Sequence, residues 1–153
     1  MGVKVALDLP EDESNVRMAR RMGRLLLEEQ AVPERVIDDI ELVLGELCTN
    51  VIRHARSHAG QFQVALEYLA DRVVITVADR GQGFSTDDVP APGSVRSDAC
   101  GRNRIGGFGL PIVERLSDKL DFRSADPQGT VVRVEKRLDD RDGSRPPGHD
   151  DAP

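Results

Sequence analysis

Tryptophan is absent from this chain, and its aromatic content is limited to Tyr68 and four phenylalanines. Any core must therefore be aliphatic. Cysteine is scarce as well: Cys48 and Cys100 are too few for a disulfide framework or a cysteine-based metal set. Cys48 sits among apolar helix residues, which predicts a buried thiol. No stretch approaches the ~20 apolar residues that a membrane span requires. The N-terminus also lacks a signal peptide's apolar segment, so a soluble, cytoplasmic protein with no membrane partner is expected. The net charge of -6 argues against direct nucleic-acid binding, which favours a basic surface. What remains is 153 residues of ordinary apolar content. That suits a single domain able to bury roughly 68–70% of its unfolded surface.

The pattern of residues predicts the elements. Val3, Val5 and Leu7 alternate with polar or small residues, as in a strand with one buried face, and Pro10 ends it. Glu11 to Ser14 then suit a helix start. That helix runs to about Gln30, with Met18, Met22, Leu25 and Leu26 at helical spacing. Arg17, Arg20, Arg21 and Arg24 share another face, either a solvated surface or a contact for an acidic partner. Pro33 fits the first turn of a second helix, whose core side reads Val36, Ile37, Ile40, Val43, Leu44, Leu47 and Val51 and which ends near 57–60.

Strands follow over 61–69 and 72–78, joined at Ala70-Asp71. From Phe84 to Ile105 periodicity disappears, as in a functional lid or a disordered segment. A short helix over 109–117 and strands over 120–124 and 130–136 close the fold. The remainder, 139–153, is too polar to fold and is expected to be a disordered tail. Helices grouped against a mostly antiparallel sheet make an α+β, two-layer α/β sandwich.

Three segments carry the chemistry. In the second helix, Glu46, Asn50 and His54 form one ridge along the edge of the apolar stripe. Asn50 offers a neutral oxygen suited to a hydrated Mg²⁺. Glu46 is placed to deprotonate a nucleophile beside a metal-bound phosphate. The same ridge also fits an ordinary amphipathic helix with a solvated Glu. Asp79, at a strand end, can accept a hydrogen bond from an exocyclic amine such as that of adenine, and Gly81 and Gly83 let backbone approach a flat ligand. A plain Asp-Arg-Gly turn is the other reading. Gly106, Gly107 and Gly109 precede a helix whose first amides favour phosphate, with Arg102 and Arg104 just before; a flexible helix entry reads the same way. Neither a P-loop nor a dinucleotide fingerprint is present.

Together these segments resemble the Bergerat-type (GHKL, histidine kinase-like) ATP-binding fold of gyrase, a class of heat-shock chaperones, histidine kinases and MutL. Within it they look most like the free-standing anti-sigma-factor serine kinases of bacteria. Glu46-Leu47-x-Thr49-Asn50-x-x-x-His54 is similar to the N box and Asp79-x-Gly81-x-Gly83-Phe84 to the first glycine box. Gly107-Phe108-Gly109-Leu110 is similar to the second glycine box and Gly129-Thr130-x-Val132 to the last motif.

The resemblance implies a mixed, mostly antiparallel sheet with an ATP lid, and an ATP-binding kinase domain over 1–138. It makes Glu46 the catalytic base and Asn50 the Mg²⁺ ligand. Asp79 would read adenine with help from Thr130, while Gly81, Gly83, Gly107, Gly109 and Leu110 shape the pocket and lid. Arg104 and His54 are candidates for phosphate contact. It further implies phosphoryl transfer from Mg·ATP to a serine of an anti-anti-sigma (STAS-type) partner, sequestration of a sigma factor, and a homodimer. The alternative is a histidine kinase-like module that binds ATP without transferring phosphate, or that acts on a non-sigma partner.

Overall fold

Val3, Val5, Leu7 and Leu9 alternate with Lys4, Ala6 and Asp8 along the first strand, β1 (Val3–Pro10). One face of that strand turns to the core, where Leu9 is buried and Leu7 packs against it. The computed structural model describes residues 2–54, 60–79, 109–125 and 129–139.

α1 (Ser14–Glu29) follows. Asp12 starts it: its Oδ1 accepts a hydrogen bond from the Ser14 amide at 2.8 Å. The Ser14 hydroxyl and amide hold the Asp12 carboxyl below its ordinary range, because hydrogen bonds to the charged form favour it. The face that α1 buries matches its large side chains only in part: Met22 and Leu26 pack against the core, and Met18 and Leu25 do not. Ala19, Gly23 and Leu27 are buried, whereas Met18 and Leu25 are 53% and 62% exposed. Small residues set the orientation because the next helix lies close. A Cβ on Gly23 would come within 2.5 Å of Leu44 Cδ1.

That next helix is α2 (Glu34–His54). Pro33 stands just outside it, its carbonyl accepting from the amides of Val36 and Ile37. The expected core stripe is buried in full, and Cys48 with it. Burial pushes the Cys48 thiol up to about 12, so it is un-ionised at neutral pH. Arg24 spans the α1–α2 seam. Its guanidinium meets Glu41 at 2.7 Å, Glu34 at 2.6 Å, Asp38 at 2.6 Å and Glu28 at 3.3 Å. Of the arginine stripe, Arg24 is thus committed within the chain, and Arg20 reaches Glu41 at 3.6 Å. Arg17 and Arg21 stand exposed.

Gly60, at a φ of 63°, leads into β2 (Gln61–Tyr68), which turns into β3 (Arg72–Asp79). The Leu69 amide donates to the Arg72 carbonyl at 2.8 Å to close that turn. α3 (Gly109–Leu116), β4 (Lys119–Ala125) and β5 (Gly129–Arg137) complete the order.

The five strands lie in the order β1-β2-β3-β5-β4. Every pairing is antiparallel, so the sheet expected as mixed is antiparallel throughout. The reason is the position of β5. The α3 crossover returns the chain so that β4 runs in the same direction as β3, and β5 then fills the gap between them. All three helices pack on one face of the sheet in the expected two-layer sandwich.

Lys136 joins the layers. In β5, Val132 and Val134 face the helices within the core, and period-two alternation puts Lys136 on the same row. Its Nζ donates to the Leu116 carbonyl at 2.8 Å and pairs with Asp39 Oδ2 at 3.0 Å. One ammonium thus satisfies an orphan carbonyl at the end of α3 and ties that helix to α2.

Two measurements test this packing. Gly23→Val should lower stability by about 1–3 kcal/mol, the usual cost of overpacking. Gly45→Ala, whose Cβ would meet only the flexible Arg20 side chain at 3.3 Å, should be near neutral; urea midpoints compare the two. Lys136→Met should cost about 1–2 kcal/mol and accelerate amide exchange in α3 more than in α1, as read by hydrogen-exchange mass spectrometry.

Candidate functional site

The helix-facing row of β3 runs Val73, Ile75, Val77, all buried against α2. Strand alternation makes Asp79 the next residue of that row, and Asp79 is 8% exposed. A carboxylate therefore stands where an apolar row ends. Its neighbours follow from the sheet register: Asp79 lies opposite Phe62 of β2 on one side and Thr130 of β5 on the other. Residues directly opposite in an antiparallel pair share a face and have Cβ atoms about 4.5–5.5 Å apart. The structure thus brings Thr130, half-buried, beside Asp79, although the two are far apart in the chain.

α2 contributes from above. Leu47 and Val51 point into the core, and Glu46 and Asn50 occupy the edge of that stripe. Glu46 is half-buried and Asn50 is 8% exposed. Asn50 Nδ2 has no hydrogen-bond partner among the described residues. A buried amide left this way carries a desolvation penalty that a ligand oxygen, such as one from phosphate, would relieve. His54 is the last residue of α2. The chain leaves α2 there and enters β2 at Gln61, beside the Phe62 that faces Asp79. The α2 ridge and the Asp79–Thr130 pair therefore belong to the same end of the sandwich.

α3 packs along α2 and starts at Gly109, with Leu110 and Pro111 in its first turn. Val113 is fully buried and anchors it, and the Lys136 contact holds its other end. Its first amides have no intrahelical partner, which suits an anion. Gly81, Gly83, Arg104 and Gly107 lie outside the described residues, as does the segment from Phe84 to Ile105 expected as a lid.

The residues present fit magnesium and ATP. No group of three or more His, Cys, Asp or Glu that could hold a metal occurs among the described residues. Among the described residues, Asn50 offers one buried side-chain amide whose Nδ2 is unpartnered. That suits Mg²⁺, which keeps several waters and is usually held by one or two protein groups together with substrate phosphates. Asp79 supplies a buried acceptor for an amino group, and Thr130 supplies a hydroxyl beside it.

Lys136 and Asp39 were not singled out from sequence, yet they fasten α3 to α2 at the end of α3 away from the site. Their signal was present: a lysine continues the apolar row of Val132 and Val134.

Comparison with known proteins identifies the family. The model of the histidine kinase-like ATPase domain matches residues 9–136. The serine-protein kinase RsbW of Halalkalibacterium halodurans is 32% identical over 107 residues, 67% of this chain and 63% of its own length. The Listeria monocytogenes protein of the same name is 27% identical over 143 residues, 90% of this chain and 89% of its own. The anti-sigma F factor of Pasteuria penetrans is 32% identical over 105 residues, 67% of this chain and 69% of its own.

Among solved structures, the RsbU and RsbW domains of a Mycobacterium tuberculosis protein superpose with a TM-score of 0.66 at 19% identity, covering 89% of this chain and 32% of that one. The SiaB-SiaC complex of Pseudomonas aeruginosa gives 0.57 at 15% identity, covering 88% and 89%. At such identities the structural likeness establishes the fold alone. With the family model spanning residues 9–136, this chain belongs to the histidine kinase-like ATPase domain family.

Proposed function

We propose that this protein is an anti-sigma serine kinase: it binds Mg·ATP, phosphorylates a serine of an STAS-type anti-anti-sigma protein, and sequesters a sigma factor as a homodimer in the cytoplasm. The kinase domain takes residues 1–138, with 139–153 as a polar tail. The observation that carries this reading is the Asp79–Thr130 pair at the end of β3, on the side of the sheet that α2 covers. A buried carboxylate beside a hydroxyl at the end of an apolar row can accept a hydrogen bond from a purine amine. The names of the relatives, serine-protein kinase and anti-sigma F factor, support the transfer step and the partner class. The SiaB-SiaC complex fits a fold that works by engaging a partner protein.

In this reading Asp79 accepts a hydrogen bond from the adenine amine, and the Thr130 hydroxyl supports it. An acceptor so placed disfavours a base that lacks the amine, because its own charge would be left unpaired. Asn50 holds the metal through its amide oxygen and offers Nδ2 to phosphate. Magnesium, when bound, neutralises charge on the phosphates. Glu46 takes the proton from the partner's serine hydroxyl as the serine oxygen bonds to the γ-phosphorus; the bond from that phosphorus to the bridging oxygen breaks and ADP leaves. Gly81, Gly83, Gly107, Gly109 and Leu110 let backbone close on the nucleotide. Arg104 and His54 contact its phosphates.

The test is incubation with γ-labelled ATP and a serine-bearing STAS-type regulator. Label should move to the regulator. Asp79→Asn should weaken ATP binding by about 10- to 100-fold or more, measured by calorimetry. Glu46→Gln should leave ATP affinity near wild type and slow transfer by about 10²–10⁴-fold. Unchanged affinity in Asp79→Asn would defeat the adenine assignment, and undiminished transfer in Glu46→Gln the assignment of the base.

A further inference from the structure

A protein partner reaches Glu46 from outside the fold, so the side chains around it on α2 are the first that the partner meets. At roughly 100° per residue, Asn50 sits about 90° round the helix from the middle of the buried stripe, at the edge of the core. Leu42, Glu46 and Arg53 sit about 130–170° from that middle and within about 40° of one another. They form an outward ridge. Leu42 is 43% exposed, Glu46 is half-buried and Arg53 is exposed. Arg53 forms no ion pair among the described residues. Unlike Arg24, it is not committed within the chain. It also stands apart from the nucleotide residues, since it turns about 60° further outward than Asn50.

α3 adds to this ridge. Lys136 holds Leu116 of α3 and Asp39 of α2 at once. It lies opposite Val73, at the end of β3 away from Asp79. From there α2 continues toward Asn50, while α3 arrives from Gly109, so the two helices run antiparallel. Ile112, one turn before Leu116, therefore stands level with the Leu42–Glu46 turn of α2. Ile112 is 38% exposed, although the next residue, Val113, is fully buried. Leu42 and Ile112 are the exposed large apolar side chains of these two helices among the described residues. The surroundings of Glu46 are thus apolar toward Leu42 and Ile112, and cationic toward Arg53.

We propose that Arg53, Leu42 and Ile112 determine which serine is phosphorylated: they take a partner segment with an acidic residue on one side of the serine and an apolar residue on the other. This rests on the kinase reading above, with Glu46 as the group that the serine must reach. The spacing follows from backbone geometry. Leu42 lies four residues before Glu46, about 6 Å along the axis, and Arg53 seven residues after it, about 10 Å. An extended segment advances about 3.3 Å per residue. With the serine at Glu46, the apolar residue falls about two positions away toward Leu42, and the acid about two to four positions away toward Arg53. A guanidinium grips a carboxylate through two parallel hydrogen bonds, which fixes the direction of the segment. A segment with a basic residue at that place is rejected by like charge.

The probe is a STAS-type regulator with an acidic residue two to four positions from its acceptor serine, together with its acid-to-lysine variant. Transfer from γ-labelled ATP to the regulator gives its KM and kcat. Calorimetry gives nucleotide affinity, and regulator affinity in the presence of a non-hydrolysable ATP analogue. Arg53→Glu should raise the regulator's KM about tenfold or more. Its kcat and ATP affinity should stay within about twofold of wild type, because the charge is exposed and screened. Arg53→Gln should raise KM about two- to fivefold, and Leu42→Ser about threefold or more. The lysine variant of the regulator should be a poor substrate for the wild type and a better one for Arg53→Glu, because opposite charges meet again; misfolding cannot produce that rescue. An unchanged KM in Arg53→Glu, or no rescue, would overturn the proposal. So would a loss of ATP affinity in Arg53→Glu, which would put the arginine on the phosphates, or a wild type that neither binds nor labels the regulator. Transfer indifferent to Arg53 would leave the kinase reading intact, whereas Arg53-dependent capture without transfer would defeat that reading and keep the docking site.

Discussion

α2 lies between α1 and α3 and across β2, β3 and β5, and nearly half of its circumference is closed off from water by that position. Burial of Val36, Ile37, Ile40, Val43, Leu44, Leu47, Cys48 and Val51 fixes the rotation of the helix about its own axis. Each large aliphatic side chain removed from water contributes about 1.5–3 kcal/mol, so turning α2 by even one residue would expose several of them. Because the rotation is fixed, Glu46 and Asn50 must appear on the edge facing α3 and the end of β3. A helix held less firmly would present the same residues at variable angles, and a group meant to bind metal or move a proton needs placement to within about half an ångström.

The neighbours of α2 follow from the same demand. Gly23 and Ala19 thin the near face of α1 so that it can settle on Leu44. Arg24 reaches across the seam to four carboxylates, three of them on α2. These contacts are exposed enough that each pair adds little alone and weakens in salt, but together they define how α1 sits along its partner. On the opposite side, Lys136 does the corresponding work for α3 from within the sheet. The helix layer is thus fastened at both flanks of α2, by a guanidinium on one side and an ammonium on the other.

Much of this was legible in the residues. The apolar stripe of α2 is long and regular, and the alternation in β2 and β3 is strong, so their existence and facing were plain. The Glu46–Asn50 spacing and the aspartate closing β3 could be found by eye. The face of α1 was legible only in part: Met22 and Leu26 do pack against the core, but Ala19 and Gly23 carry little hydrophobic signal and Met18 and Leu25 carry much. Periodicity weighs side chains by size, while close helix packing selects for the lack of it. The arginine stripe was ambiguous for a related reason: sequence shows four like charges on one face, but not that acidic residues of the next helix come to meet Arg24. The pairing of Asp79 with Thr130 could not be read from spacing either, since it depends on β5 entering the sheet between β3 and β4; only the family resemblance linked them.

That insertion has a consequence for how the molecule comes into being. The first half of the protein to leave the ribosome can build β1, β2, β3 and two helices, but it leaves β3 as a bare margin with Asp79 at its tip. The strand that covers this margin, and brings the threonine to the aspartate, is the last described element to be synthesised. A nascent chain therefore lacks the Asp79–Thr130 pair until β5 has been released and has slid into the middle of the sheet. In the proposed function, where that pair reads the purine, nucleotide capture would report completion of this domain, and a truncated or stalled product would display much of the helix layer without nucleotide.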